Sequence, residues 1–181
     1  MDFKSVLTTL LKGFEQNDVR YGLMDGFALG LWGVGRSTVD LDFLILLESR
    51  EAVSKVMSDM GYELKYESEN VSQYVSPVKI FGEIDFLHAF RDASRGMLDR
   101  AVEKDAFDGK VRVKVLMPED VIGLKLQAIA NDSSREQNDM ADIEALLEVR
   151  KEETDWELLR GYCDTLHRSD LFKDLQGRYG K

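Results

Sequence analysis

At 181 residues and 44% hydrophobic content, the chain carries enough apolar material for one packed domain, or for a core with a small helical annex, and is too apolar to be disordered. A formal charge of −10 opposes nucleic acid and anionic membranes at long range, although a local basic patch can override the total. The lone Cys163 excludes a disulfide framework and a cysteine zinc site, and the two histidines, His88 and His167, exclude a multi-histidine metal site.

Phe3, Val6, Leu7, Leu10, Leu11 and Phe14 recur at helical spacing, which predicts an amphipathic helix from residue 2 to about 16. The charges at Asp2, Lys4, Lys12 and Glu15 are no signal peptide, and no apolar run approaches the ~20 residues that span a bilayer. A cytoplasmic protein with no membrane partner is the expectation. Tyr21 to Met24 reads as the first strand. Asp25-Gly26 then turns the chain into a short apolar segment, Phe27 to Trp32. The loop Gly33-Val34-Gly35 leads on to Arg36-Ser37-Thr38. Glycine there lets backbone N–H groups approach a phosphate closely.

Asp40-Leu41-Asp42 followed by five apolar residues, Phe43 to Leu47, predicts a strand from 40 to 47. Alternate side chains share a face, so Asp40 and Asp42 point the same way, roughly 6–7 Å apart. Both ionised, they repel by about 2–3 kcal/mol at an effective dielectric near 20. A cation between them relieves this, and Mg²⁺ suits hard oxygen ligands shared with substrate phosphates. The plainer alternative is a pair of solvated acids capping a strand.

Glu48-Ser49 opens a helix carrying Val53, Val56, Met57 and Met60, and Gly61 ends it. Strands are expected at Tyr62–Ser68 and Gln73–Phe81, with Asn70 in the turn and Pro77 favouring an edge position. Gly82 turns into a strand from Glu83 to His88. Asp85 sits there between Ile84 and Phe86, where an unpaired carboxylate is costly. Glu83 shares its face and competes for any role; His88 falls on the opposite face as a packed residue.

Residues 93 to 104 read as a helix and Val111 to Val115 as a half-exposed strand. Pro118 starts a helix to about Ala130, with Glu119 and Asp120 in its first turn. On its own, Lys125 in that helix is a snorkelling surface residue. A helix over about 136 to 150 brings Asp139 and Asp142, which either hold Lys125 or Arg135 or compensate the helix dipole. Thr154 and Glu157 form a capping-box pattern that starts a last helix near 155. The tail beyond Ser169, with Lys173, Arg178 and Lys181, reads as a solvated end.

The run from Gly26 to Ile45, G-F-A-L-x-x-x-G-x-x-R-S-T-x-D-L-D-F-L-I, resembles the signature of minimal nucleotidyltransferases with a DNA polymerase β-like fold. It is most similar to the branch that includes the AbiEii-type toxins. Met117-Pro118-Glu119-Asp120-Val121-Ile122 with Lys125, then Asp139-x-x-Asp142-Ile143, resembles that branch's second conserved segment. The resemblance implies an α/β (α+β) nucleotidyltransferase fold: a short mixed sheet flanked by helices over residues 1–116 and a helical C-terminal part over 117–181. It implies Mg²⁺-dependent transfer of a nucleoside monophosphate from an NTP to an acceptor hydroxyl, releasing pyrophosphate. Asp40, Asp42 and Asp85 would hold one or two Mg²⁺, with Asp85 as general base. Gly26, Arg36, Thr38 and Lys125 would bind the nucleotide. The acceptor is a small molecule, a protein or a tRNA end, and a toxin–antitoxin pair would add an antitoxin partner.

One position departs from the pattern. The family opens its turn with Gly-Gly or Gly-Ser, and here the first of those positions is Asp25. A carboxylate aimed at a triphosphate would repel it; one turned aside or reaching a metal would not. The alternative function is therefore a catalytically impaired nucleotidyltransferase-fold module that binds a protein partner.

Overall fold

The computed structural model describes residues 1–180, and Lys181 of the basic tail lies outside them. The chain divides into two units, Met1–Leu31 with Arg36–Leu116, and Trp32–Gly35 with Met117–Lys181.

The first unit opens with α1 (Phe3–Gln16), whose helical stripe buries Val6, Leu7, Leu10 and Phe14. Asp2 caps it by accepting from the Ser5 N–H at 3.2 Å. β1 (Tyr21–Met24), α2 (Asp25–Leu31) and β2 (Leu41–Leu46) follow, then α3 (Arg50–Asp59), β3 (Glu63–Glu67) and β4 (Val71–Val75). β5 (Glu83–Ala89), α4 (Asp92–Arg100), β6 (Val102–Ala106) and β7 (Val111–Val115) complete the unit. The strands form one sheet in the order β3-β4-β5-β2-β1-β7-β6, with β2–β5 and β1–β7 parallel and the other pairs antiparallel.

β2 occupies the middle of the sheet, and Leu41, Phe43, Leu44, Ile45 and Leu46 are all buried. Its near-continuous apolar run is what a strand covered on both faces requires. Phe43 stacks on Phe86 of β5 with ring centroids 5.8 Å apart, and Phe14 of α1 meets Phe43 edge-on at 5.8 Å. Each fully buried phenylalanine contributes about 1.5–3 kcal/mol, so this cluster is what holds α1 against the strands that carry the acids.

Three local expectations are corrected. The helix expected over 93–104 stops at Arg100, and residues from Val102 onward form β6. The Phe107-Asp108-Gly109 turn, with φ of 53°, 56° and 77°, folds β6 onto β7 as a hairpin. Pro77 lies beyond the end of β4, which pairs on both sides, so the proline ends an interior strand instead of occupying an edge. The strand expected from Asp40 begins at Leu41, leaving Asp40 just outside the ladder.

The second unit holds α5 (Pro118–Asn131), α6 (Glu136–Arg150), α7 (Trp156–Thr165) and α8 (Ser169–Tyr179). The α7 cap is Asp155, not Thr154: its Oδ1 accepts from the N–H groups of Glu157 at 3.1 Å and Leu158 at 3.0 Å. The solvated tail is instead a helix, because Phe172 and Leu175 bury one side of α8. The short segment Trp32–Gly35 belongs here, with the Arg150 guanidinium 5.0 Å from the Trp32 ring centroid. Among the described residues, no helix is long and apolar enough to cross a membrane.

Candidate active site

Sheet register builds the site. Met24 lies opposite Asp42, Asp42 opposite Asp85, Asp85 opposite Gln73, and Gln73 opposite Tyr66. Residues directly opposite one another project from the same face, so Asp42, Asp85 and Gln73 form one row across β2, β5 and β4. Tyr66 joins the row through an irregularity in β3 between Leu64 and Tyr66. Without it, strict alternation would keep Tyr66 on the face of Leu64, which pairs with the buried Tyr74.

Asp85 is the most constrained acid of the row. Its Oδ2 accepts from the Gln73 side-chain amide at 2.7 Å, while its Oδ1 is buried and makes no hydrogen bond. Burial raises its pKa, and the charges of Asp40 and Glu83 push the same way against the Gln73 hydrogen bond and Lys65. Glu83, the competing acid, is joined to Lys65 at 2.8 Å.

Thr38 ties the upstream loop to these acids, donating its hydroxyl to Asp40 Oδ1 at 2.7 Å. A Cβ at Gly26 would stand 2.6 Å from Thr38 Oγ1 and 2.7 Å from Thr38 Cβ. The room that glycine leaves is therefore filled by Thr38. Asp25, one residue earlier, has φ 51° in the left-handed region. A left-handed turn favours glycine, with aspartate among the better-tolerated substitutes. Arg36 is exposed in the segment between α2 and β2.

Lys125 lies in the second unit, 4% exposed, with its ammonium 3.0 Å from Asp139 Oδ1 and 2.8 Å from Asp142 Oδ2. Arg135 reaches Asp139 Oδ2 at 2.8 Å. Of the two readings of these aspartates, the structure bears out the one in which they hold Lys125 and Arg135. His88 is a packed residue, 2% exposed, with Nε2 3.1 Å from the Ser72 hydroxyl and Nδ1 2.9 Å from the Glu69 carbonyl.

Among the described residues, no three Asp, Glu, His or Cys side chains converge as a finished metal-ligand set. The donors nevertheless suit Mg²⁺, which is commonly bound by one or two carboxylates and completed by substrate phosphate oxygens. Asp42 and Asp85 share a face on paired strands, Asp40 acts on the same carboxylate, and the buried Asp85 Oδ1 has no other partner.

Several solved structures share this architecture. The solution structure of the antibiotic-resistance factor ANT(2″)-Ia gives a TM-score of 0.68 at 13% identity, over 96% of this chain and 99% of that one. The lincosamide antibiotic adenylyltransferase LnuA gives 0.56 at 17% identity, over 80% of this chain and 96% of that one. A nucleotidyltransferase-like protein from Paracoccidioides brasiliensis gives 0.56 at 18% identity, over 96% and 91%. At such identities the likeness shows the fold, a mixed α/β nucleotidyltransferase architecture. No curated protein matches the sequence. The family model for uncharacterised nucleotidyltransferases matches residues 3–173, nearly the whole chain, and the protein belongs to that family.

Proposed function

We propose that the protein transfers a nucleoside monophosphate from an NTP to a hydroxyl of a small-molecule acceptor. The observation that carries this reading is the in-register pair Asp42 and Asp85, with Asp85 Oδ1 buried and unspent. Asp40, Asp42 and Asp85 would hold Mg²⁺, which when bound neutralises phosphate charge and lowers the cost of charge transfer to the leaving group. Asp85, its pKa raised by burial, accepts the proton of the acceptor hydroxyl. The acceptor oxygen bonds to the α-phosphorus, the bond to the β-phosphate bridging oxygen breaks, and pyrophosphate leaves. Thr38 fixes Asp40 through its hydroxyl, and Gly26, by admitting Thr38, keeps that contact possible. Arg36, exposed on the same unit, would supply positive charge to the nucleotide, and Lys125 is held by Asp139 and Asp142.

The acceptor is inferred from charge. At −10 overall, the protein favours a neutral or cationic small molecule over nucleic acid. Among the structural neighbours, LnuA is a lincosamide antibiotic adenylyltransferase seen with lincomycin, and ANT(2″)-Ia is seen with adenylyl-2″-tobramycin. The two sequence motifs support a place near the AbiEii-type branch, but no structural observation favours a toxin role over this one.

The test is incubation with each α-labelled NTP and Mg²⁺ in the presence of fractionated small-molecule acceptors. Transfer of the α label to an acceptor that falls at least 100-fold in both Asp42→Asn and Asp85→Asn is expected. Equal rates in wild type and both variants would overturn the reading.

A further inference from the structure

Gln73 holds the oxygen of Asp85 that the proposed chemistry leaves aside. It stands directly opposite Asp85 in the β4–β5 register and donates its amide to Oδ2 at 2.7 Å, while Oδ1 accepts nothing. A structural partner for a half-buried carboxylate is commonly a lysine or arginine, which would cancel its charge. A neutral amide orients the carboxylate and leaves the charge in place. The groups around it are arranged in the same sense. Glu83 on the same strand is occupied by Lys65 at 2.8 Å, and Asp42 stands opposite on β2. Among the described residues, no cationic side chain has a hydrogen bond to Asp85 that would compete with a bound cation.

We propose that Gln73 is a positioning residue of this site, gripping Asp85 by Oδ2 so that Oδ1 is the oxygen that meets the cation or the acceptor proton. The inference rests on the nucleotidyl-transfer reading. It adds a residue from a fourth position in the sheet row to the acids of β2 and β5. Groups that orient metal ligands from behind commonly change metal affinity or activity by about 10–100-fold when removed. Gln73 occupies that place.

The test uses the whole chain and Mn²⁺ as the probe, followed by calorimetry in the presence of a non-hydrolysable NTP analogue. Wild type, Asp42→Asn, Gln73→Leu and the isosteric Gln73→Glu are compared. Gln73→Leu is expected to weaken Mn²⁺ about tenfold and to lower the melting temperature slightly, since Asp85 loses its hydrogen-bond donor. Gln73→Glu, which likewise has no amide to donate to Oδ2, is expected to lower kcat as Gln73→Leu does, whatever its added charge does to Mn²⁺ affinity. In turnover, Gln73→Leu lowers kcat while KM for the NTP stays within about twofold, since no phosphate contact is removed. Mn²⁺ affinity and kcat of Gln73→Leu equal to wild type would overturn the positioning role alone. Absence of Mn²⁺ binding that depends on Asp42 in the wild type would overturn the underlying reading, and the inference with it.

Discussion

Gly26 is the residue at which a single methyl group has the clearest consequence. Alanine there would press on Thr38 at distances below 3 Å, and Thr38 is what holds Asp40 through its hydroxyl. Overpacking of this kind costs about 1–3 kcal/mol. Gly26→Ala should therefore lower both the melting temperature and nucleotidyl transfer, whereas Thr38→Ser, which keeps the hydroxyl, should preserve transfer. Asp85 makes the opposite kind of prediction. Its folded pKa is raised, so the stability this group contributes is present below its unfolded pKa and is lost as pH rises through the folded value. At neutral pH its charge is a cost, and Asp85→Asn should be at least as stable as wild type while losing activity. Asp25→Gly replaces a non-glycine residue at φ 51°. Relief of backbone strain and the extra freedom of the unfolded chain are each about 1 kcal/mol and oppose one another. Nucleotide titration in Mg²⁺ then reports what the Asp25 carboxylate does to affinity.

At the scale of elements, Asp155 caps α7 with two N–H contacts, while the Thr154 hydroxyl is buried without a hydrogen bond. Asp155→Ala should cost about 1 kcal/mol by chemical denaturation. Thr154→Val should cost less, since it removes a hydroxyl that has no hydrogen-bond partner. The capping-box pattern was legible but one residue out of phase, because Thr and Asp are adjacent and either could serve. Strong periodicity made α1, α3 and β7 readable. β6 was hidden because its edge sequence, Val-Glu-Lys-Asp-Ala, carries three charged residues, and only the Asp108-Gly109 turn signalled a hairpin. α8 was hidden by its charge, with Phe172 and Leu175 alone marking a buried side. Of the candidate site, two acids on one apolar run could be read locally. The Gln73–Asp85 contact could not, because register between β4 and β5 is set by folding and not by spacing.

For the molecule as a whole, the charge balance is distributed instead of sorted. Around the helical unit, Lys173 pairs with Asp170, and Arg178 with Glu144 and Asp174. Lys173 and Arg178 are thus paired with acids, which limits what these two cations offer to phosphates. Binding to unrelated RNA should be weak and show a shallow dependence on salt. Acid behaviour should centre on the Lys125 network. Burial pushes the Asp139 pKa up, but hydrogen bonds from Arg135 and Lys125 prevail and hold it below the usual carboxylate range. Its contribution is therefore present above the unfolded pKa and lost as pH falls through the folded one. Lys125→Met leaves Asp139 and Asp142 buried without their shared ammonium, a loss of about 3–5 kcal/mol. Thermal melts between pH 4 and pH 7 should then show the variant destabilised throughout.

Trp32–Gly35 belongs to the C-terminal unit although its sequence neighbours on both sides belong to the other. During synthesis, Trp32 emerges more than a hundred residues before Arg150, the cation that covers its ring. At ribosomal speeds of about 5–20 residues per second, the indole waits on the order of ten seconds for that partner. The sheet strands on either side of it can begin pairing in that interval. The nascent chain thus lacks the Arg150 cover on Trp32, upstream of Asp40 and Asp42, until residue 150 has been made, and 32–39 is open to a chaperone or a protease in that interval.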